Sequence, residues 1–439
     1  MTAVAGVVGG ATAVRPAAAG ASVQRPTNGR YDFDTPLNRI GTMSVKYDQQ
    51  ITKYGKDSIS VGMGVADMDF RVPPAITNAL AKRIEHECWG YLDMPPAFAD
   101  SIVAWNKRRY NQTIDPALLQ ISSGVYPGLI AAMQTFCPPG SKVILQTPTY
   151  NGFYGMLDFA KVTREESPMK IVNGRYTFDF EDLERRITHE THALILCNPQ
   201  NPTGNVWTEA ELTRLGEICL RRRVIVLSDE IHCDFVTKGQ AYVPFGNLPD
   251  KDIVRNSMTF KAASKSFGLA AHKVGWFFSD NPEFMARVRA NHRADISTLG
   301  VVANHAALTE GGEWLDQLVE YLDANHDFTL DFISTKMPSI KAYKPESTYL
   351  SWIDVTEVAE RIGAARLAAE ANRTKAPGAA DLTPEQMVER FFVREARVQL
   401  NQGASYGPGG ANHMRMNLGT SRQMLEEGLT NMANAVRRL

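Results

Sequence analysis

The chain has 439 residues, 44% hydrophobic and 22% charged, with 47 basic and 48 acidic side chains and a formal net charge of -1. This is the composition of a soluble globular protein, and its balanced charge argues against a nucleic acid partner. The five cysteines have no CxxC spacing, so they indicate neither a disulfide framework nor a metal site. No run approaches the roughly 18 apolar residues of a membrane span, and we expect a cytoplasmic protein.

The length exceeds what one hydrophobic core usually organises, so we expect two packed domains. Residues 1–28 are rich in Ala, Gly and Val. They lack the charged start and long apolar stretch of a signal peptide, and they predict a flexible tail. We expect residues 76–320 to form a large domain and residues 321–439 a smaller C-terminal domain, on which residues 29–75 pack.

Short apolar runs alternate with longer helical patterns in the predicted large domain. The runs are rich in Val, Ile, Leu and Phe, and they predict buried strands over 142–146, 192–197, 223–228, 257–260 and 274–278. Between two of them, TEAELTRLGEICLRRR has the apolar spacing of a helix. This alternation implies an α/β fold, with a mainly parallel sheet covered by helices on both faces.

The C-terminal part has a different pattern, which predicts a smaller α+β unit. STYLSWIDV predicts a strand, and VAERIGAARLAAEANR, residues 358–373, predicts an Ala-rich helix. A further helix is expected after Thr383. Thr383, Pro384 and Gln386 have the spacing of a capping box with proline at the first helical position.

Polar side chains follow three of the predicted strands, and sheets of this class bind ligands at the carboxyl ends of their strands. NPQNPTG carries Asn201 in a rigid turn, DEIH begins with Asp229 and ends with His232, and KAASKSFG contains Lys265. Each residue alone has an ordinary explanation: a turn residue, a helix cap, an interior histidine and an exposed lysine. An amide, a carboxylate and an amine that meet at one sheet edge favour a joint site.

This combination matches the chemistry of pyridoxal 5′-phosphate. Lys265 would bind the cofactor aldehyde and, once displaced by an amino-acid substrate, take the Cα proton. Asp229 would keep the pyridine nitrogen protonated, because an opposite charge favours the charged form, and Asn201 would donate to the phenolic oxygen. Tyr150, after another strand, is placed to stack on the ring, although core packing explains it as well when it is taken alone.

A glycine turn ahead of an apolar helical pattern provides a place for the cofactor phosphate. In SSGVYPGLIAAMQTF, Gly124 precedes the helix, so the backbone amides of Val125 and Tyr126 point from a helix N-terminus at an anion. Ser264 and Lys273 flank the reactive lysine, and they could add a hydroxyl group and a positive charge to this place.

The motifs NPQNPTG, SDEIH and SKSFG, at these separations, resemble those of fold type I pyridoxal phosphate enzymes related to class I and II aminotransferases. Through VADMDF, WGY, TPTYNGFY, STYLSW and RMNLG, residues 31–439 are similar to carbon–sulfur lyases of the cystathionine β-lyase type. The resemblance implies the four roles just given at the cofactor ring. It also implies a homodimer in which Tyr91 reaches the neighbouring subunit's phosphate, and Arg415 as the group that binds the substrate α-carboxylate.

Two features depart from the pattern of the related aminotransferases. Lys273 stands where they usually carry arginine, and residues 363–385 resemble an insertion beside the small domain, near the place where substrate enters in the family. His232, where aminotransferases usually have tyrosine, is itself a cue to the lyase branch. The departures bear on substrate identity and leave the cofactor chemistry untouched.

The resemblance implies a carbon–sulfur β-lyase that cleaves an L-cysteine S-conjugate or cystathionine to thiol, pyruvate and ammonia. An aminotransferase, or a deaminase whose reaction is coupled to decarboxylation, starts from the same bound substrate and is the alternative among enzymes, because fold alone does not decide the reaction. A non-catalytic cofactor-binding regulator is the alternative of another class.

Overall fold

A computed structural model describes residues 29–376 and 378–439. The tail predicted over residues 1–28 lies outside the described residues. The helices are α1 (Asp48–Tyr54), α2 (Pro74–Ile84), α3 (Pro96–Tyr110), α4 (Val125–Phe136), α5 (Gly152–Ala160), α6 (Phe180–Arg186), α7 (Glu209–Arg221), α8 (Lys251–Arg255), α9 (Pro282–Asn291), α10 (Thr298–Glu310), α11 (Gly312–Lys336), α12 (Thr356–Arg361), α13 (Ala364–Arg373), α14 (Pro384–Ala396) and α15 (Arg422–Arg437). The strands are β1 (Val61–Gly62), β2 (Leu119–Ser122), β3 (Lys142–Thr147), β4 (Thr163–Pro168), β5 (Lys170–Val172), β6 (Arg175–Thr177), β7 (Thr191–Cys197), β8 (Ile225–Asp229), β9 (Ser257–Lys261), β10 (Gly275–Phe278), β11 (Lys341–Ala342), β12 (Leu350–Asp354), β13 (Val398–Gln399), β14 (Asn401–Gln402) and β15 (His413–Asn417).

A seven-stranded sheet, in the order β2-β10-β9-β8-β7-β3-β4, forms the centre of the larger part of the chain. Strands β4, β3, β7, β8 and β9 run parallel, whereas β10 is antiparallel to its neighbours β9 and β2. The five apolar runs singled out in the sequence are the strands β3, β7, β8, β9 and β10 of this sheet. The predicted α/β fold with a mainly parallel sheet between helices is confirmed.

Apolar side chains at alternate strand positions enter two cores, one on each face of the sheet. Val143 and Leu145 of β3 lie in the core that contains Leu129 of α4, whereas Ile144 lies with Leu212 of α7 in the opposite core. Because helices cover both faces, every side of the strand is buried. The strands therefore appear in the sequence as continuous apolar runs.

The C-terminal part contains a second sheet, antiparallel and four-stranded, in the order β11-β12-β15-β14. Strand β1 pairs with β13 of this part. Phe33 instead packs in the core of the larger part, where its ring centroid lies 5.6 Å from that of Trp314. The segment 29–75 thus contacts both parts. Helix α11 continues across the boundary expected at residue 320, so the division into domains stays a prediction.

The single helix expected over residues 358–373 is wrong, because the structure divides it into α12 and α13. Gly363 lies between them with a φ of 67°. That left-handed conformation is typical of the residue that ends a helix, and glycine adopts it without steric cost. The next helix, α14, begins as expected, since Thr383 and Gln386 form the capping box and Pro384 occupies the first turn.

Candidate active site

A cleft of about 610 Å³ opens at the carboxyl ends of β7, β8 and β9. The predicted site residues that line it are Gly124, Val125, Tyr126, Tyr150, Asn201, Asp229, His232, Ser264, Lys265 and Lys273. The parallel sheet explains this meeting, because the residues that follow adjacent parallel strands emerge at one edge. Arg415 reaches the cleft from β15 of the second sheet through its contact with Asn201.

Lys265 lies in the turn after β9, with its amine inside the cleft. Its Nζ donates to the carbonyl oxygen of Ala66 at 2.7 Å. Burial of the amine, and then the positive charge of Arg415, lower the pKa of Lys265 to about 8. An amine with this pKa is partly unprotonated near neutral pH, which is the form that attacks an aldehyde or accepts a proton.

Asp229 is the last residue of β8 and is only 4% exposed. Its Oδ1 accepts from the backbone N–H of Ile231 at 3.1 Å, so the carboxylate supports the turn after β8; none of the described helices begins there, so Asp229 is not the helix cap of the ordinary explanation. No cationic side chain in the described ranges forms an ion pair with it, and burial raises its pKa to about 7. A buried carboxylate of this kind fits a cationic ring nitrogen that is brought by a ligand.

Arg415 is also buried and, within the described part of the chain, has no carboxylate partner. Its Nη1 donates to Asn201 Oδ1 at 3.1 Å and its Nη2 donates to the Gly64 carbonyl at 2.7 Å. The Nε group is buried and has no hydrogen-bond partner among the residues that the structure describes. Asn201 therefore has its amide oxygen engaged and its amide N–H₂ free to donate, while Arg415 retains a donor for a substrate carboxylate.

His232 faces the same cleft in its neutral form. It is 3% exposed, and burial, followed by the positive charges of Lys265 and Arg415, lowers its pKa well below the ordinary value. Its Nδ1 has no hydrogen-bond partner among the described residues. The ring thus offers a neutral imidazole to the cofactor side of the cleft rather than a hydroxyl group.

The predicted phosphate place lies at the start of α4. Gly124 is the residue ahead of the helix and has a φ of 138°, a conformation that favours glycine. Strand β10 approaches this turn closely, because a Cβ on Gly275 would lie 2.9 Å from the Gly124 carbonyl carbon and 3.0 Å from the Val125 nitrogen. Gly124, Val125 and Tyr126 line the cleft, so the start of α4 lies at its wall, and a helix N-terminus in this place suits an anion.

The family model for aminotransferase class I and II matches residues 58–431. The chain belongs to this family. It is 34% identical to cystathionine beta-lyase PatB of Bacillus subtilis, over 92% of this chain and all of that protein. Among solved structures it is similar to the PLP-bound C-S lyase of Staphylococcus hominis (TM-score 0.80, 28% identity, 92% of this chain and 99% of that one). It is also similar to cystalysin of Treponema denticola, whose crystal structure contains pyridoxal 5′-phosphate (TM-score 0.82, 28% identity, 93% of this chain and 99% of that one).

These relatives place the chain in the cystathionine β-lyase branch of the family, as its motifs predicted. Pyridoxal 5′-phosphate is its cofactor, and the cleft fits that group: it combines a buried carboxylate that no described cationic side chain pairs with, an amine of lowered pKa and a glycine turn at a helix start. Among the described residues no helix is both long and apolar enough to cross a membrane.

Sequence reasoning missed the cleft groups that act through their backbone. The carbonyl oxygen of Ala66 accepts from both Lys265 Nζ and the Tyr349 hydroxyl, the latter at 3.1 Å. Ala66 lies within VADMDF, which served only as a family cue, because a carbonyl is present on every residue and leaves no side-chain signal. Cys197 and Asp295 also line the cleft without having been predicted.

Two sequence features lie away from the cleft. Tyr91 is fully exposed in the single chain, beside the half-exposed Trp89. The expectation that residues 363–385 lie near the substrate entrance finds no support, because none of its described residues lines the cleft. Instead α13 packs on α14, and Leu367 and Ala371 line a separate groove of about 790 Å³ between α13, α14 and α15. The apolar face of α13 faces α14, which explains this position.

Proposed function

We propose that the protein is a pyridoxal phosphate-dependent carbon–sulfur β-lyase that cleaves an L-cysteine S-conjugate or cystathionine. The observation that carries the proposal is the meeting of Lys265, Asp229 and Arg415 around one cleft, with an amine whose pKa is lowered to about 8. The relatives named cystathionine beta-lyase and C-S lyase support the bond that is broken.

Arg415 and Asn201 position the substrate in this proposal. The guanidinium group is planar, and two of its N–H groups can pair with the two oxygens of a carboxylate. The Asn201 amide oxygen fixes the plane of that group through its 3.1 Å bond to Nη1. The amino acid is thus oriented with Cα toward Lys265, in a place where burial strengthens each polar contact.

Lys265 moves the proton. Its unprotonated Nζ takes the proton from Cα, and pyridoxal 5′-phosphate, when bound, supplies the electron sink for the pair left behind. The Cβ–S bond then breaks with its electron pair on sulfur, and the protonated Nζ is placed to return a proton to the thiolate. Water completes the balance: conjugate and water give thiol, pyruvate and ammonia, with no net oxidation.

The competing reactions differ in what they require. Transamination needs a keto acid that accepts the amino group, and the decarboxylating alternative needs loss of the carboxylate that Arg415 would hold. Elimination needs only a leaving group on Cβ. His232, which offers a neutral imidazole where aminotransferases usually have a tyrosine hydroxyl, favours elimination when that leaving group is a thiolate.

An L-cysteine S-conjugate should yield thiol and pyruvate in equal amounts without any added keto acid. Alanine, which has no leaving group, and methionine, whose sulfur is on Cγ, should give little product. The measurement is parallel detection of thiol, pyruvate and amino-acid product over a set of conjugates that includes cystathionine. Turnover that depends on a keto acid, or a thiol that stays attached to the product, would replace the lyase with one of the alternatives, and absence of any turnover would favour the regulator.

Variants of Arg415 in the same assay test how the carboxylate is bound. Arg415→Ala should raise KM by about tenfold or more, because a hydrogen bond to a charged group is worth about 1.5–3 kcal/mol. Arg415→Lys should recover only part of this loss, since lysine cannot form the planar pair. Unchanged KM in both variants would remove Arg415 from this role.

We also propose a cytoplasmic homodimer with composite sites. The full exposure of Tyr91 supports a contact with another subunit. The five free cysteines suit a reducing compartment, and cell fractionation tests the cytoplasmic location. Subunit exchange between inactive Tyr91→Ala and Lys265→Ala dimers should restore part of the activity, because one site of each mixed dimer then has both native groups. No recovery after proven exchange would mean that Tyr91 acts within its own chain.

A further inference from the structure

A buried polar cluster lies next to the cleft, and its residues do not line the cleft themselves. Ser266 directly follows Lys265 and is 0% exposed, and its hydroxyl donates to Asp234 Oδ2. Asp234 also accepts from the Tyr110 hydroxyl and forms an ion pair with Arg109 Nε at 3.1 Å. Three donors from two other segments therefore converge on one buried carboxylate.

The positions of Asp234 and Ser266 along the chain show which two segments the cluster connects. Asp234 lies two residues after His232, in the segment that leaves β8 with Asp229. Ser266 lies in the turn that leaves β9 with Lys265. The hydrogen bond between them therefore joins the two turns that carry the cofactor-binding groups. Arg109 and Tyr110 of α3 also bind the Asp234 carboxylate.

We propose that Ser266 and Asp234 are positioning residues, which fix the turn of Lys265 against the turn of Asp229 so that Nζ is held inside the cleft. This inference rests on the proposed function for its kinetic part. The charges that act most on Lys265 are those of Arg415, Asp67, Asp229 and Lys273. Ser266 and Asp234 act on the amine through the backbone, by keeping it buried.

Ser266→Ala removes the hydrogen bond between the two turns but leaves Asp234 paired, because Arg109 and Tyr110 still bind its carboxylate. A freed turn lets the nitrogen of Lys265 reach water, which favours its protonated form. The pH midpoint of the holoenzyme's visible absorption band should move upward by about half a unit or more. The kcat for thiol release should fall by about tenfold or more through misplacement of the base, while KM stays within about twofold.

The chain offers a matched control in Ser167. Its buried hydroxyl donates to Asp182 Oδ2 at 2.9 Å, and Asp182 in turn pairs with Arg186. These residues belong to β4 and α6, and none of them lines the cleft. Ser167→Ala should lower the melting temperature as Ser266→Ala does, because both lose one bond from serine to a paired carboxylate. It should leave the absorption midpoint and kcat unchanged.

Ser266→Cys provides a graded variant of similar size, whose weaker S–H donor should give a smaller shift in the same direction. It carries the test if the alanine variant does not fold. A lowered melting temperature with an unchanged midpoint and unchanged kcat would overturn the proposal and leave Ser266 a purely structural residue. The midpoint does not depend on which substrate bond is cleaved, so it separates failure of this inference from failure of the lyase assignment.

Discussion

Lys265→Ala should lower thiol release by about 10³-fold or more, since a positioned acid–base group contributes about 10²–10⁴-fold and this amine also binds the cofactor aldehyde. Its pKa, lowered to about 8, leaves part of the amine unprotonated and able to accept a proton near neutral pH. The variant should still retain the cofactor through the amides at the start of α4 and through Asp229. Turnover and cofactor content after gel filtration measure the two effects separately.

Lys265→Arg serves as the matched control for charge. A guanidinium group stays protonated, so it keeps a positive charge in the cleft but neither accepts a proton nor binds an aldehyde. We expect the same loss of activity as in the alanine variant. Borohydride treatment of the native holoenzyme should attach the cofactor to Lys265; an adduct mapped to Lys261 or Lys273 would refute the assignment.

The site could be predicted from the sequence where it depends on side chains that follow strands. Asn201, Asp229 and Lys265 each come after an apolar run, and the rule that parallel strands present such residues at one edge was enough to bring them together. The fold class followed from the same runs, because strands buried on both faces leave continuous apolar stretches.

Contacts made by the backbone over long sequence separations could not be predicted. The carbonyl oxygens of Gly64 and Ala66 accept from Arg415 and Lys265, which lie far along the chain. Nothing in a glycine or an alanine marks its carbonyl as a partner. The hydrogen bond between Ser266 and Asp234 could not be predicted for a similar reason, because serine and aspartate beside reactive residues have many ordinary roles.

The break at Gly363 shows how composition can outweigh local geometry in sequence reasoning. The alanines on both sides of it favour one continuous helix, and a single glycine inside a helix costs only about 1 kcal/mol. In the structure the left-handed glycine turns the chain, so that α13 packs its apolar residues on α14. Packing of that face decides the path of the chain, and the order of residues alone does not show which face has a partner.

Asp229→Asn should change activity and stability in opposite directions. In the cofactor-free protein, burial raises the pKa of Asp229 from 3.8 to about 7. An acid whose pKa is raised by folding contributes stability below its unfolded pKa, and that contribution is lost as pH rises through the folded value. The cofactor-free native protein should therefore lose stability between about pH 4 and pH 7, by at most roughly 4 kcal/mol.

Asparagine resembles the protonated aspartic acid at every pH, so the cofactor-free Asp229→Asn protein should lack this pH-dependent loss and unfold at a higher denaturant concentration than the native chain at pH 8. At pH 4 the two should be nearly equal. With cofactor the order should reverse: the variant offers no negative charge to the ring nitrogen, so its turnover should fall by about 10²-fold or more and its cofactor should dissociate more readily. Denaturant titrations at both pH values, with and without cofactor, measure this. A variant that is less stable at pH 8 without cofactor would show that Asp229 is satisfied within the protein, and the buried carboxylate would then no longer argue for a cationic ring in the cleft.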